Sequence, residues 1–521
     1  EDEHLALLGL LNSSTACFFL KQSCHQKQMM GGDGIRIQSK AKVPYAFNAT
    51  QVARLPIPTA WKEGHLRDRL IDLTRKIDSL NQDLERLSVS HIFTNNEINS
   101  NKVIRQWQTM QNEQKSIRSQ QILLQEEIDF TVYRMFELVD NQLLSSRVDW
   151  SYPTVTEGER PFCWIDGINE DGFSVPGSIP KDWPEDLKQL FQTRIEAIKS
   201  DRNLRLLESS MYKRRWIGRQ GLFNHLRTEN ELQDAAWDWL LDRLERYFDL
   251  DGRMNPEHQP TATITEPQLI STRVLADYAR QDEEFLQVGE LYRNDSAFNI
   301  QTLVNELVES ESVPHLPILR YKPTGLRKRL DWENTWTLQR QEDAIDARTQ
   351  LSKDHPQYLT TIQADDLKRK AVGDIAVPPK YDSKDFQKTH YWKLRGKLDV
   401  PKERWISFPH CQGEDGNPLI AWAGYTPLQL ALAISGYFIN VQEVEGGSDD
   451  PRLVPLLASL LELLPWLRQW HNDPDPDYDG LQMGDYMTGF VEEEARKLDK
   501  TLEDIRTWEP PKQISRRKRS G

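Results

Sequence analysis

The chain has 521 residues, a formal net charge of −14, and 28% charged residues. Its length accommodates about three domains of roughly 100–200 residues each, and its negative charge argues against a sequence-blind nucleic-acid coat, although a local basic patch is still compatible with DNA binding. The four cysteines, Cys17, Cys24, Cys163 and Cys411, form neither a CxxC pair nor a zinc-type cluster, which favours free thiols in a reducing cytoplasm and predicts no metal site.

An apolar run, HLALLGLLNSSTACFFLKQ, opens the chain and resembles the core of a secretion signal. It follows three acidic residues, Glu1, Asp2 and Glu3, rather than a basic segment, and no Met precedes it. We therefore expect the first helix of a piece cut from a longer protein. Polar residues 12–15 interrupt the run before it reaches the roughly 20 apolar residues of a membrane helix, so we expect no membrane span.

A polar, glycine-containing stretch follows, in which the alternation at 35–38 predicts a strand that ends before Pro56 and Pro58. Leucine and isoleucine then recur with 4,3,4,3 spacing between Leu66 and Leu87, and a second helical pattern runs from about Val103 to Val139. This spacing predicts an antiparallel helical hairpin. We interpret the hairpin as a spacer or docking strut without chemistry.

The remaining chain reads as helical up to about residue 308 and then as a mixture of helices and aromatic-rich strands, RWISF and LIAWAGY. A Pro- and Gly-rich stretch at 151–182 and a polar one in the 340s to 370s predict boundaries. The predicted fold class is α+β, mostly helical, with a small sheet, a long helical hairpin, and helical and mixed α/β carboxy-terminal domains. The predicted domains are 1–61, 62–150, 151–340 and 341–521, the last with a basic tail.

Signatures of catalysis are missing from the sequence. It contains no GxxxxGK[ST], GxSxG, HExxH or GxGxxG motif. His25, His390, His410 and His471 are scattered, and we expect them to be surface or hydrogen-bonded residues. The acidic run DPDPDYDG lacks the spacing of a calcium loop and is interpreted as a turn.

Positive charge interleaved with aromatic residues marks three segments, YKRRWIGR, LRYKPTGLRKR and KTHYWKLRGKLDVPKERW. Guanidinium and ammonium groups on one surface are suited to phosphate contacts, and guanidinium groups also to guanine edges. The predicted DNA-contacting residues in these segments are Lys213, Arg214, Arg215, Arg320, Lys322, Arg327, Lys328, Arg329, Lys393, Arg395 and Lys397. The alternative, for each segment, is an ion-paired stripe in a chain rich in charge.

Several long segments of the sequence, taken in chain order, resemble segments of known enzymes. LLGLLNSSTACFFLKQ, YAFNATQVARLPIP and LLQEEIDFTVYRMFEL resemble the region after the catalytic domain of type IIG-like adenine-N6 DNA methyltransferases. RNLRLLESSMYKRRW, VPHLPILRYKPTGLRKRLDWENTWTLQR, IAWAGYTPLQLALAISGYF and LLELLPWLRQWHNDPDPDYDGLQMGDYMTGF resemble the carboxy-terminal half of the PglX family. These are the adenine-specific methyltransferases of phage-growth-limitation, or type 2 BREX, defence systems, with the DISARM methyltransferases as a close alternative.

The resemblance implies a catalytic domain upstream of this chain. The family's glycine-rich S-adenosylmethionine loop and [NDS]PP[YF] motif do not occur here, since the two Pro-Pro pairs, at 378–379 and 510–511, lie in other contexts. We therefore expect the full-length protein to use S-adenosylmethionine and this chain to bind none. The opening run resembles the helix that enters the target-recognition region, with Leu8, Leu11 and Phe18 on its buried side.

Two functions remain as alternatives. In the first, the chain is the DNA-recognition and assembly portion of the methyltransferase, with Arg36, Lys40 and Lys42 as sequence readers and the basic segments clamping phosphates. In the second, it is a scaffold that docks other defence-system subunits. The expected partners are double-stranded DNA, the upstream methyltransferase domain and other defence subunits, with no membrane, in the cytoplasm.

Overall fold

A computed structural model describes residues 1–26, 45–93, 99–146, 155–166, 175–213, 231–250, 260, 262–413 and 415–511. The chain divides into two compact units, the first made of residues 1–95 and 100–235 and the second of residues 96–99 and 236–521. Among the described residues no single helix is long and apolar enough to cross a membrane. The two opening helices pass that test only as a pair, and they are bent by 65° relative to each other.

The first unit is helical. Its elements are α1 (Asp2–Leu11), α2 (Ser14–Ser23), β1 (His25–Gln26), β2 (Tyr45–Ala46), α3 (Ala49–Val52), α4 (His65–Arg86), α5 (Ser100–Met135), α6 (Cys163–Asp166), α7 (Glu185–Ser200), α8 (Arg202–Leu207) and α9 (Ser210–Lys213). The short strands β1 and β2 pair antiparallel.

The predicted helical hairpin is present as α4 and α5, which pack against each other. Leu70 and Leu73 of the predicted seam are fully buried, and Ile77 and Leu80 pack against the same core. The second half of α5 is buried nearly all round, from Ile117 onward, as is typical of a central helix. The hairpin is therefore built into the core of the first unit.

The polar interruption of the opening run separates α1 from α2. Ser13 caps α2 by accepting a hydrogen bond from the backbone of Ala16 at 3.2 Å. Ser14 donates from its backbone and its hydroxyl to Asp129, at 2.6 and 2.8 Å. The buried face of α1 carries Ala6, Gly9 and Leu10, so Leu8, which was expected to be buried, lies off that face and is 44% exposed. Leu11 and Phe18 are partly buried against the core, as expected.

The second unit contains a small sheet among helices. Its elements are α10 (Glu231–Glu245, from residue 236 onward), β3 (Ile270–Ser271), α11 (Thr272–Arg280), α12 (Glu283–Arg293), α13 (Ile300–Ser310), β4 (Ser312–Pro314), α14 (Pro317–Arg320), α15 (Pro323–Ala347), α16 (Thr361–Ala371), α17 (Thr389–Arg395), β5 (Trp405–Phe408), β6 (Leu419–Trp422), α18 (Pro427–Asn440), α19 (Leu453–Trp470), β7 (Pro474–Asp475), β8 (Leu481–Gln482), α20 (Met483–Lys497) and α21 (Leu502–Arg506).

The sheet has the strand order β3-β6-β5-β4, in which only β4 and β5 run parallel. The two predicted aromatic strands are β5 and β6, and Trp405 of β5 is fully buried. The α+β, mostly helical class predicted from the sequence is confirmed. The predicted strand at 35–38 lies outside the described residues, and the domain boundary expected at 340/341 falls inside α15.

The acidic run DPDPDYDG forms a tight hairpin, as the turn interpretation predicted. Strands β7 and β8 pair antiparallel, and Asp479 and Gly480 between them adopt positive φ of 56° and 79°. All four cysteines are free and buried, in line with the sequence prediction.

Candidate nucleic-acid interface

Two of the three basic segments, distant in sequence, meet in the second unit. An isolated bridge joins Tyr321 to Phe386, and the backbone N–H of Lys322 donates to the carbonyl of Asp385 at 2.8 Å. Gly325 allows this approach, because a Cβ there would lie 2.4 Å from that same carbonyl oxygen. The first turn of α15 and the segment before α17 therefore form one local structure.

An aromatic cluster holds this local structure together. Tyr321, Tyr381, Phe386 and Tyr391 are buried, and Trp392 packs against them. The rings of Tyr321 and Tyr381 stack with centroids 5.2 Å apart, and Phe386 lies 5.1 Å from Tyr321. The aromatic residues interleaved with the cations thus form a core, which fixes the backbone that carries the cations.

Two of the predicted DNA contacts, one buried and one largely enclosed, flank one carboxylate. Arg320 and Arg395 lie 3.7 and 3.6 Å from Asp399, and the Tyr321 hydroxyl donates to the same side chain. Arg395 also pairs with Glu403. Burial lowers the pKa of Arg395, and the positive charge of Arg320 lowers it further. Because both guanidinium groups are largely enclosed, the structure corrects their assignment to a DNA-contacting surface.

Lys328 and Arg329 are half-buried and ion-paired. Lys328 lies 2.6 Å from Asp385 and donates to the carbonyl of Lys380 at 2.8 Å. Arg329 donates to Glu333 at 2.8 Å and to Glu462 at 3.3 Å. The charges of both side chains are thus already compensated within the protein.

Four predicted contacts are exposed: Lys322, Arg327, Lys393 and Lys397. Within the described part of the chain, none of these four has a carboxylate oxygen within 4.0 Å. Of the predicted contacts that the structure describes, they are the cations whose charge is available to an external anion. We call them the free cations.

Lys213, from the remaining basic segment, is fully buried at the end of α9 in the first unit. Its Nζ lies 2.5 Å from Glu208, 3.0 Å from Glu126 and 3.2 Å from Asp129. Arg160 lies 2.5 Å from Glu126. The structure therefore corrects the assignment of Lys213 to DNA, since its ammonium group is enclosed by carboxylates.

These five residues form a buried ion network with three carboxylates and two cations. Burial opposes the charge of Glu126, but Arg160 and Lys213 outweigh that penalty and lower its pKa to about 2. Burial raises the pKa of Glu208 to about 7, and the negative charges of Glu126 and Asp129 act in the same direction. The attraction of Lys213 opposes this shift but does not cancel it. The cations of the network are thus occupied by carboxylates inside the protein. The acids of QEEIDF, set between the apolar stretches ILL and FTVYRM in the second half of α5, are the sequence signal for such buried pairing.

The other predicted contacts, Arg36, Lys40, Lys42, Arg214 and Arg215, lie outside the described residues. Their assignment stays a prediction. Among the residues that are described, no group of three or more His, Cys, Asp and Glu side chains is placed to hold a metal ion.

A cavity that the sequence did not predict lies beside the aromatic cluster. Its volume is about 970 Å³, at the upper end of the roughly 300–1,000 Å³ typical of small-molecule sites. Four of the chain's 16 tryptophans line it: Trp332, Trp336, Trp466 and Trp508. Trp332, Trp336 and Arg340 follow each other at i, i+4 and i+8 in the sequence, a spacing that predicts one helix face.

Comparison with known proteins places the chain in a family. The family described as a domain of unknown function, DUF7008, matches residues 121–520. The chain belongs to this family. The match includes the second half of α5, the buried ion network, the free cations and the cavity, so these features lie within the DUF7008 region.

A curated relative confirms the resemblance found in the sequence. The adenine-specific methyltransferase PglX of Streptomyces coelicolor is 35% identical to the chain over 541 aligned positions, which cover 99% of this chain and 40% of that protein. The chain thus spans less than half the length of this relative. No solved structure matches the chain.

Proposed function

We propose that this DUF7008 chain is the DNA-recognition and assembly portion of an adenine-N6 DNA methyltransferase that acts in anti-phage defence. The similarity to PglX over 99% of the chain supports the enzyme class. The methyl-transfer domain and its S-adenosylmethionine site would lie in an upstream region, because the sequence of this chain contains neither a glycine-rich cofactor loop nor an [NDS]PP[YF] motif. Work on chromosomal or phage DNA would place the enzyme in the cytoplasm.

The free cations carry the DNA-binding part of the proposal. A methyltransferase that extrudes its target base needs contacts outside the catalytic pocket that hold the duplex. Lys322 is the residue just before α15 and Arg327 lies in its second turn, whereas Lys393 and Lys397 lie at the end of α17 and just after it. The aromatic cluster fixes the backbone of both elements, so little backbone ordering accompanies binding.

Salt dependence tests the proposal. We expect the Lys322→Ala/Arg327→Ala variant to bind all duplexes more weakly and to lower the slope of log affinity against log salt by about 0.9 for each phosphate that is no longer neutralised. The matched control is Arg369→Ala/Lys370→Ala, which removes the same charge from α16, where both cations are exposed and paired with Asp366. Fluorescence anisotropy at several salt concentrations measures both. A slope equal to that of the control would contradict the clamp.

A second candidate function is a scaffold for other subunits of the defence system. Large apolar side chains on the surface of the second unit favour it: Val377 is 91% exposed, Ile362 82% and Trp470 65%. Apolar docking would persist at high salt, whereas duplex binding would weaken steeply.

Long-read detection of methylated adenines, with the full-length gene present or deleted, tests the enzyme class itself.

A further inference from the structure

Arg340 is held at the wall of the cavity by aromatic rings rather than by acids. Its guanidinium carbon lies 4.9 Å from the ring centre of Trp466 and 6.0 Å from that of Trp336, and its Nε donates to the Gln469 side chain at 3.0 Å. No carboxylate of the described residues lies within ion-pairing distance of it. Burial lowers the pKa of Arg340 with no acid to oppose the change, whereas at Arg329 the neighbouring acids outweigh burial and raise the pKa.

Three of the four acids that line the cavity, Glu333, Asp399 and Glu462, are ion-paired within the protein, and the fourth is Glu509. Arg329 pairs with Glu333 and Glu462, and Arg320 and Arg395 flank Asp399. Arg340 therefore presents two Nη groups whose charge is not compensated by an ion pair. A planar guanidinium of this kind, fixed by stacking on indole rings, is suited to bidentate contact with a phosphate.

The walls of the cavity offer flat aromatic surfaces and a backbone acceptor. Trp336 and Trp466 meet edge to face, with ring centres 5.3 Å apart, and Trp332 is oriented by donation from its Nε1 to the carbonyl of Pro379 at 3.3 Å. Pro465 lies inside α19 and has no N–H to donate, which frees the carbonyl of Leu461, another lining residue. A base with an exocyclic amino group matches these features.

We propose that this cavity binds a nucleotide, with the base against the tryptophan faces and the phosphate on Arg340. Base–aromatic stacking together with a nearby cation is the general mode by which proteins hold unpaired nucleotides. Two sources supply this chemistry: an unpaired nucleotide of single-stranded DNA, or a free nucleoside phosphate. The proposal goes beyond a clamp on duplex DNA, since stacked base pairs do not offer a base face to such a cavity.

The test measures binding of two probes to the whole chain. The first probe is a fluorescently labelled single-stranded dA oligonucleotide of ten nucleotides, whose binding is measured by fluorescence anisotropy. The second probe is ATP or dAMP, whose binding is measured by calorimetry. We expect Arg340→Gln to weaken binding about 10-fold or more, and Trp466→Ala to weaken it roughly 5- to 150-fold, the range for one base–aromatic stacking contact. Melting curves check that each variant folds, and Trp466→Phe, which keeps a ring, should restore most of the affinity.

Matched controls lie on α19, the helix that carries Trp466, but outside the cavity. Arg468→Gln removes an exposed arginine, and Trp470→Ala removes a tryptophan that is 65% exposed. Binding of the oligonucleotide alone identifies single-stranded DNA as the source, and binding of the free nucleotide identifies a nucleoside phosphate. If neither probe binds, or if Arg340→Gln binds as Arg468→Gln does, the proposal is refuted. Failure of the nucleotide proposal can be distinguished from failure of the clamp, because the clamp is tested separately, by the salt dependence of duplex binding in the Lys322→Ala/Arg327→Ala variant.

Discussion

Replacing Lys213 by Met distinguishes a structural lysine from a DNA contact. Methionine preserves most of the side-chain volume but removes the ammonium group from the buried ion network. Glu126, Asp129 and Glu208 would then share the single positive charge of Arg160. Because Lys213 is fully buried, water cannot replace it as a partner for these carboxylates.

The expected loss is large. Removing one partner of a buried ion pair costs about 3–5 kcal/mol in the free energy of unfolding. In a unit of roughly 230 residues, 1 kcal/mol corresponds to about 2–4 °C in melting temperature, so a fall of about 6–20 °C is expected. The additional change Glu208→Gln should recover part of this loss, because it removes one of the unpaired carboxylates while a side-chain oxygen remains to accept from the Tyr133 hydroxyl.

Differential scanning calorimetry gives the melting temperature, and hydrogen exchange at the amides of α5 and α9 reports the first unit directly. The control is Lys199→Met, which removes an exposed lysine from α7. If Lys213→Met melts within about 2 °C of the control, less than the shift expected for 1 kcal/mol, the assignment of the buried network is wrong. A flattened salt slope for duplex binding without destabilisation would instead restore Lys213 as a DNA contact.

Three other measurements bear on the first unit and on the whole chain. Leu73→Asn should lower the free energy of unfolding by about 1–3 kcal/mol, because it places an unpaired amide in the core. Leu84→Asn, at a half-buried position of the same helix, should lower it by less. Chemical denaturation measures both, and equal losses would contradict the assignment of Leu73 to the buried seam. Between pH of about 4.5 and 7 the folded protein holds a proton on Glu208 that the unfolded chain has released, because its pKa is raised to about 7. This group therefore makes stability fall as pH rises through that window, and Glu208→Gln should flatten the fall in a pH series of melting temperatures; an unchanged profile would contradict the shift. Calorimetry with S-adenosylmethionine should show no stoichiometric binding at micromolar affinity to this chain.

Features that depend on near neighbours along the chain could be predicted from the amino-acid sequence. The 4,3,4,3 spacing from Leu66 onward predicted the hairpin, because residues three and four apart share one helix face and must be buried together. The runs RWISF and LIAWAGY predicted strands β5 and β6, since aromatic and β-branched residues favour a pleated, half-buried surface. The polar break at 13–15 likewise predicted an interruption, which separates α1 from α2.

Which cations are free depends instead on packing between distant parts of the chain. Lys213 finds Glu126 87 residues away, Lys328 finds Asp385 57 residues away, and no local pattern reports such partners. A basic segment looks the same whether its charges face solvent or a buried carboxylate, because burial is set by elements that are distant in sequence. The same holds for the cavity: α15 shows its tryptophan spacing in sequence, but Trp466 of α19 reaches Trp336 and Arg340 only through the fold. Long-range packing, not composition, therefore separates the ion pairs from the surface open to an external anion.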